Sequence, residues 1–367
     1  MKISKNILLA AILLLSGLPG VHAAGATRDS LSGASLFPVG RYSKNASGDL
    51  ELISSAVHFG FTFTGSACTV YAAVSDSAAH GYLQFTLDGV YQKKRIRING
   101  NDTAPFVIGS VVKGVHTVWI YKATEAASGP IFIKKIVAPG IRAIKEAQRP
   151  LIEFIGNSIT CGAASDPSEI PCDLGEYHDH HNAYEAYGPR VARALHVNFI
   201  LSSVSGIGIY RNWNSPGPTM PQVYEKTDFQ LNSTRNWDFN SYHPQIVSIA
   251  LGTNDFSGGD GKSPRLPFDS AAYVSNYIRF VKLVKSKYPK ASLILLSSPM
   301  LNGSRREMLQ NCLTAVKKNV DLVYIRDKPI TLFFFQPMQA RGCGGHPNVE
   351  DHEILARELE PAFRKLL

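Results

Sequence analysis

Beyond its first 23 residues the chain has no stretch of the roughly 18 to 20 uninterrupted apolar residues that a spanning helix requires, which excludes a helical membrane protein for the remainder. It has no internal repeat and no low-complexity tract, which sets aside solenoids and disordered scaffolds. Long basic runs and aromatic-interleaved basic strips are missing too, although the formal net charge is +9. The excess lies in short pairs such as Lys93-Lys94, Lys134-Lys135 and Lys317-Lys318, an ordinary solvated surface, and no nucleic-acid partner is expected. Cysteine is scarce and odd in number, five in all. Its spacing fits no zinc signature, and none follows the N-terminal apolar run, so no lipid-modified start is expected.

What is present begins with Lys2 and Lys5, the apolar run "ILLAAILLLSGL" and the small-residue stretch "VHA" before Ala24. That order is a secretory signal, residues 1–23, cut after Ala23. The expected location is secreted or periplasmic. About 344 of 367 residues remain, with a net charge near +7 once Lys2 and Lys5 are gone. That length favours two domains over one core. In an oxidising compartment the pairings expected are Cys161 with Cys172, which bracket a polar loop, and Cys312 with Cys343, leaving Cys68 free.

Two periodicities divide the chain. Residues 50–137 hold short alternating or β-branched segments, "AVHFGFTFTG", "CTVYAAV", "GYLQFTLDGV", "KRIRING", "HTVWIYKA" and "PIFIKKIV". Turn signals separate them at the spacing of an all-β sandwich. Asp88-Gly89 is the sharpest hairpin signal. His58, His80 and His116 are too scattered in that half to suggest ligands. The expected domain is 24–140, and Pro139, Gly140 and Pro150 mark 141–150 as a linker. From 151 to 367 the apolar runs "LIEFIG", "NFILSSV", "QIVSIALG", "SLILLSSP" and "DLVYI" read as doubly buried strands. They alternate with helical segments at 183–195, 269–288, 304–319 and 349–367. The pattern predicts a three-layer α/β sandwich with a parallel sheet and a ligand site at the strands' carboxyl ends.

Four polar clusters fall at those ends: Ser158, the "VSGIG" turn with Gly206, "GTND" with Asn254, and His346 before the last helix. A serine hydroxyl needs a base to become a nucleophile, and acyl transfer needs donors for the developing oxyanion. His346 could be the base, and the N–H groups of Ser158 and Gly206 with the Asn254 amide could be the donors. Taken alone, Ser158 is more often a helix N-cap than a nucleophile. "SGIG" is also a generic tight turn, and His346 could simply start a helix. Joint occurrence in this order shifts the balance.

These blocks, "GNSIT", "SVSGIG", "GTND" and "GGHPNVEDH", resemble those of the SGNH (GDSL-type) hydrolase superfamily. The β-rich half, with "HTVWIYKATEAASGPIFI", narrows the likeness to bacterial acetyl xylan esterases of carbohydrate esterase family 2, which join a jelly-roll domain to an SGNH domain. The resemblance implies a serine esterase that removes O-acetyl groups from plant cell-wall glycans such as xylan or glucomannan, with no metal or cofactor, acting as a monomer through an acyl-enzyme. Two positions depart from the pattern. Asn157 stands where an Asp usually precedes the nucleophile, and Gly344 and Cys343 stand where an Asp usually orients the His. The expectation is therefore a Ser158–His346 dyad oriented by a main-chain carbonyl in the 342–345 loop, with Glu350 and Asp351 on the wrong side of the His to serve.

Trp213 in "IYRNWN" is the candidate for stacking on a sugar ring, with packing an equal alternative. "HDHH" at 178–181 invites a metal but lacks the i, i+4 helical pair of a hydrolytic zinc site. His352 is expected to pack the last helix and Asp255 to support the "GTND" turn. The competing functions are a broader lipase or thioesterase of the same superfamily and a non-catalytic secreted carbohydrate-binding protein.

Overall fold

Phe59, Phe61 and Phe63 alternate into one apolar core, all fully buried, and this period of two is what a pleated strand with one covered face requires. The computed structural model describes residues 29–262 and 264–367. The expected signal segment, residues 1–23, lies outside them. The segments "AVHFGFTFTG" and "CTVYAAV" are one long strand, His58–Val74, bent by a register shift between Gly65 and Ala67. It pairs with an equally long strand, Phe106–Lys122, in an antiparallel sheet of nine strands. The hairpin between His80–Leu87 and Val90–Asn99 turns on Asp88 and Gly89, both at positive φ (52° and 80°). Part of the stretch expected as linker belongs to this sheet, because Arg142–Ile144 pairs with Gly60–Thr62.

The second half is a five-stranded parallel sheet in the order Asn198–Ser203, Leu151–Gly156, Ile246–Ala250, Ser292–Leu296, Thr331–Phe333. Helices Ser270–Lys287 and Gly303–Val323 cover one face, and Tyr187–Leu195 and Val349–Leu366 cover the other. The three-layer sandwich is thus as expected. Its last strand is not, because "DLVYI" ends the helix Gly303–Val323 and the turn after it. Leu322, Val323 and Ile325 are exposed there, and the edge strand is the later, half-buried Thr331–Phe333.

The chain leaves Leu151–Gly156 toward one side of the sheet and returns to its other side at Ile246–Ala250. That reversal opens a crevice at the carboxyl ends of these strands, where α/β sheets hold their ligands. Ser158 stands at the end of one strand and Gly252–Asn254 at the end of its neighbour.

The two halves are joined through buried charge. Arg41, fully buried, donates from Nη1 to the carbonyls of Tyr224 (2.8 Å) and Lys226 (2.6 Å) and from Nε to Ser202 Oγ (3.2 Å). Its Nη2 lies 3.9 Å from Oε1 of Glu153, which is inside the apolar run "LIEFIG". Burial pushes the Glu153 carboxyl above its ordinary range, and Arg41, Ser202 and Tyr224 pull it back. Gln84 donates to Asn182 (2.6 Å), and His80 and Tyr82 donate to Asp179 (2.5 and 2.8 Å), so the sandwich also grips the polar insertion 165–182.

Removing one member of a buried ion pair strands the other. Arg41→Met is therefore expected to cost about 3 kcal/mol or more of stability, measured by urea denaturation. A loss below about 1 kcal/mol would mean that the pair is not a structural anchor.

Candidate active site

The local fold around Ser158 shows which residue caps its helix. The N-cap of the short helix Ser158–Cys161 is Asn157, whose Oδ1 accepts from Ile159 N–H at 3.1 Å. Ser158 is the first helical residue, so the capping alternative weighed for it belongs to its neighbour and its hydroxyl is free to face the crevice. Asn157 thus makes use of the oxygen that an Asp would have offered there. Gly156 is needed just before, since a Cβ on it would meet Thr160 Oγ1 at 2.0 Å.

Ser158 Oγ lies 3.0 Å from Nε2 of His346, 188 residues away. The Nδ1 of His346 lies 3.2 Å from the carbonyl oxygen of Cys343. A carbonyl can only accept, so Nδ1 carries the proton and Nε2 presents a lone pair to the serine hydroxyl. Burial lowers the pKa of His346 from its ordinary 6.5; the Cys343 carbonyl opposes that, His181 adds to it, and the Glu125 charge opposes it.

Gly206, at φ 74°, and Asn254 line the same cavity of about 550 Å³ as Ser158, His346 and Trp213. The four polar clusters of the sequence therefore meet in one place. Asn254 donates one amide hydrogen to Ile207 O at 2.7 Å, which leaves the second for the cavity. Trp213, 45 % exposed, is held at the rim by its N–H to Gly206 O (2.8 Å). Asp255 supports the adjoining turn, its carboxylate accepting from the N–H groups of Ile209, Tyr210 and Arg211; burial raises its pKa to about 6 against those bonds. His352 packs the last helix, fully buried, with Nδ1 accepting from Tyr187 N–H at 3.2 Å, and burial lowers its pKa to about 3.

Two residues entered the site without a local signal in the sequence. Tyr177 comes from the polar insertion, next to "HDHH", and its hydroxyl lies 3.3 Å from both His346 Nε2 and Ser205 Oγ. Glu125 comes from the loop after Phe106–Lys122 in the sandwich, and its Oε2 accepts from Ser205 N–H at 2.6 Å. The histidines of "HDHH" do internal work. His181 reaches Glu125 (3.2 Å) and His180 reaches Pro171 O (3.0 Å). His178 joins His80 and Asp179 in a group whose potential ligand atoms lie within 4.8 Å of one another, but Asp179 already accepts from His80, Tyr82 and Glu176 N–H.

The disulfide differs from both expected pairings. Cys172 is joined to Cys343, while Cys161, Cys312 and Cys68 are free and buried. Cys161 points down from the serine's helix toward Ser203 Oγ (3.2 Å), and Cys312 packs in the core under the opposite sheet face. The insertion that carries Cys172 instead lies against the loop before His346. The bond therefore ties down the residue whose carbonyl orients His346.

Matching of the chain to known families agrees with this layout. Residues 38–146 match the carbohydrate esterase 2 N-terminal family, and residues 154–350 match the GDSL-like lipase/acylhydrolase family. The chain belongs to the GDSL-like lipase/acylhydrolase family and is a carboxylic ester hydrolase. Its N-terminal module and overall fold are similar to those of the family 2 carbohydrate esterases. An acetylxylan esterase/glucomannan deacetylase of Cellvibrio japonicus is 26 % identical over 98 % of this chain and 99 % of its own. The solved family two carbohydrate esterase from Cellvibrio japonicus has the same fold, with a TM-score of 0.79 at 23 % identity over 93 % of this chain and 98 % of that one. A family two esterase from Clostridium thermocellum, solved in complex with cellohexaose, superposes with a TM-score of 0.77 at 24 % identity, covering 90 % and 98 %.

Replacing both Cys172 and Cys343 by Ser is expected to cost roughly 2 to 4 kcal/mol of stability and to lower kcat more than it raises KM, because the carbonyl behind His346 loses its anchor. Steady-state kinetics with calorimetric melting would check it; unchanged kcat would show that the 342–345 loop holds without the bond.

Proposed function

We propose that the protein is an exported carbohydrate esterase that removes O-acetyl groups from plant cell-wall polysaccharides or their oligosaccharides, with Ser158 and His346 as its catalytic pair. The observation that carries this is the line Ser158 Oγ, His346, Cys343 O, spaced at 3.0 and 3.2 Å in an open cavity. The chemistry follows from the tautomer. His346 Nε2 takes the Ser158 proton as Oγ attacks the acetyl carbonyl, and an oxyanion forms. The Ser158 N–H, at the first position of a helix, has no partner within that helix. Together with Gly206 N–H and the free amide hydrogen of Asn254 it would hold that charge, each donor being worth ~3 kcal/mol of barrier. Collapse expels the sugar oxygen, which takes the proton from His346. Water, deprotonated by the same nitrogen, then releases acetate from Ser158.

The glycan substrate is supported by the relatives: an acetylxylan esterase/glucomannan deacetylase of like length, and a like fold bound to cellohexaose. Trp213 at the rim is placed to stack on a sugar ring. Export is supported by residues 1–23 and by the Cys172–Cys343 bond, which an oxidising compartment maintains. No helix among the described residues is long and apolar enough to cross a membrane.

Ser158→Ala and His346→Ala are each expected to lower acetate release from acetylated xylan at least about a thousandfold without unfolding the protein. Substantial activity in either would refute the pair. Trp213→Ala is expected to raise KM on an acetylated oligosaccharide about tenfold while sparing kcat on p-nitrophenyl acetate. Because the base works neutral and its pKa is depressed, kcat/KM should hold as pH falls through 6.5 and drop only below that value. A drop centred above 6.5 would contradict the buried, carbonyl-held imidazole.

A further inference from the structure

The site has no carboxylate on its histidine, yet it has a buried one behind it. Glu125 is 2 % exposed and reaches the hydrolase domain from the sandwich. Its Oε2 accepts from Ser205 N–H at 2.6 Å and from Cys161 Sγ at 3.5 Å, and its Oε1 accepts from His181 Nε2 at 3.2 Å. Ala164 N–H donates to His181 Nδ1 (3.2 Å), so the His181 proton sits on Nε2, pointing at Glu125. The ring of Tyr177 stands edge-on to His181 (4.8 Å between centroids, 89°) and beside His346 (5.7 Å, 60°). Glu125, His181, Tyr177 and His346 thus form a continuous packed file.

A buried carboxylate is costly unless something holds it. Burial pushes Glu125 upward, but the bonds from His181 and Ser205 outweigh it and bring the pKa down to about 2, so it is charged throughout any assay range. Among the described residues it makes no ion pair with Lys or Arg. The nearby Lys122 spends its ammonium on the carbonyls of Ile53, Thr124 and Glu125. Burial lowers Lys122 to about 7. The other titratable groups around His346 are Tyr177, His181 and Cys161, with His352, Asp351 and Arg341 at the final helix. Asp351 is already paired with Arg341 at 2.6 Å.

We propose that Glu125 is a positioning residue contributed by the sandwich: its carboxylate pins the Ser205–Gly206 turn and supplies the negative charge that favours protonated His346 as the reaction proceeds. This rests on the Ser158–His346 reading above. A backbone carbonyl can fix the tautomer, but only a full charge compensates the imidazolium well. The same charge repels the oxyanion, so rate alone does not isolate its effect on His346. The acid limb of kcat/KM does, because it reports the free enzyme, where no oxyanion exists.

The test is the pH dependence of kcat/KM on p-nitrophenyl acetate for the full chain and for Glu125→Gln and Glu125→Asp, with Ser158→Ala as control. Activity surviving in Ser158→Ala defeats the underlying reading rather than this one. With that control inactive, Glu125→Gln should lose at least about tenfold in kcat/KM and move its acid limb to lower pH. Glu125→Asp should keep the limb near the parent position and lose rate, because its carboxylate is drawn back from Ser205. A Glu125→Gln limb that stays in place overturns the electrostatic role. If that variant does not fold, Glu125→Asp decides alone: full kcat/KM in it overturns the positioning role.

Discussion

The hydrogen bond from His346 Nδ1 to the Cys343 carbonyl is the constraint on which the rest depends. It selects the tautomer that offers a lone pair to Ser158. It is made by a glycine-rich three-residue turn, Cys343–Gly345, whose two glycines both adopt positive φ. Such a turn has little rigidity of its own. The Cys172 bond and the Cys343 N–H to Ala164 O (2.9 Å) supply it, fastening the turn to the insertion and to the end of the serine's own loop. Ser158, His346 and the Cys343 carbonyl are thereby referred to one small framework instead of to three independent loops.

That framework in turn leans on the sandwich. Asp179 in the insertion is held by His80 and Tyr82, Asn182 by Gln84, and the sheet beneath Ser158 by Arg41 through Ser202 and Glu153. Each contact spends a buried polar or charged group, which is tolerable only where the geometry is fixed on both sides. The β-rich half is therefore a wall of the region around the cavity. Glu125 extends the same arrangement to the turn at Ser205, whose N–H it holds.

Much of this was legible in the sequence, for physical reasons. Doubly buried strands leave apolar runs, and Asp88-Gly89 signals a hairpin because both residues must take positive φ. Convergence of Ser158, Gly206, Asn254 and His346 could be anticipated because all four blocks follow strands of one parallel sheet. Where expectation failed, the deciding contact was long-range or the local signal was shared. "DLVYI" outscored Thr331–Phe333 in apolar character, but a helix can end on exposed Leu322 and Val323 as readily as a strand can begin there. The Cys172–Cys343 bond spans 171 residues, and nothing near either cysteine announces the other. Asn157 stood out only as a departure from the usual Asp, and the bond its oxygen accepts from Ile159 N–H is visible only in the folded turn. Glu125 and Arg41 act across a domain boundary and Tyr177 meets His346 across 169 residues, where periodicity carries no information.

We propose above all that Ser158 is the nucleophile and that His346, oriented by a carbonyl, activates it. The most direct measurement is rapid-quench mass spectrometry of the protein mixed with p-nitrophenyl acetate, followed by peptide mapping. The account predicts one acetyl group, on the peptide carrying Ser158, appearing before steady state and decaying with acetate release. Acetylation at another residue, or turnover with no acetylated peptide under conditions that trap the intermediate, would contradict it.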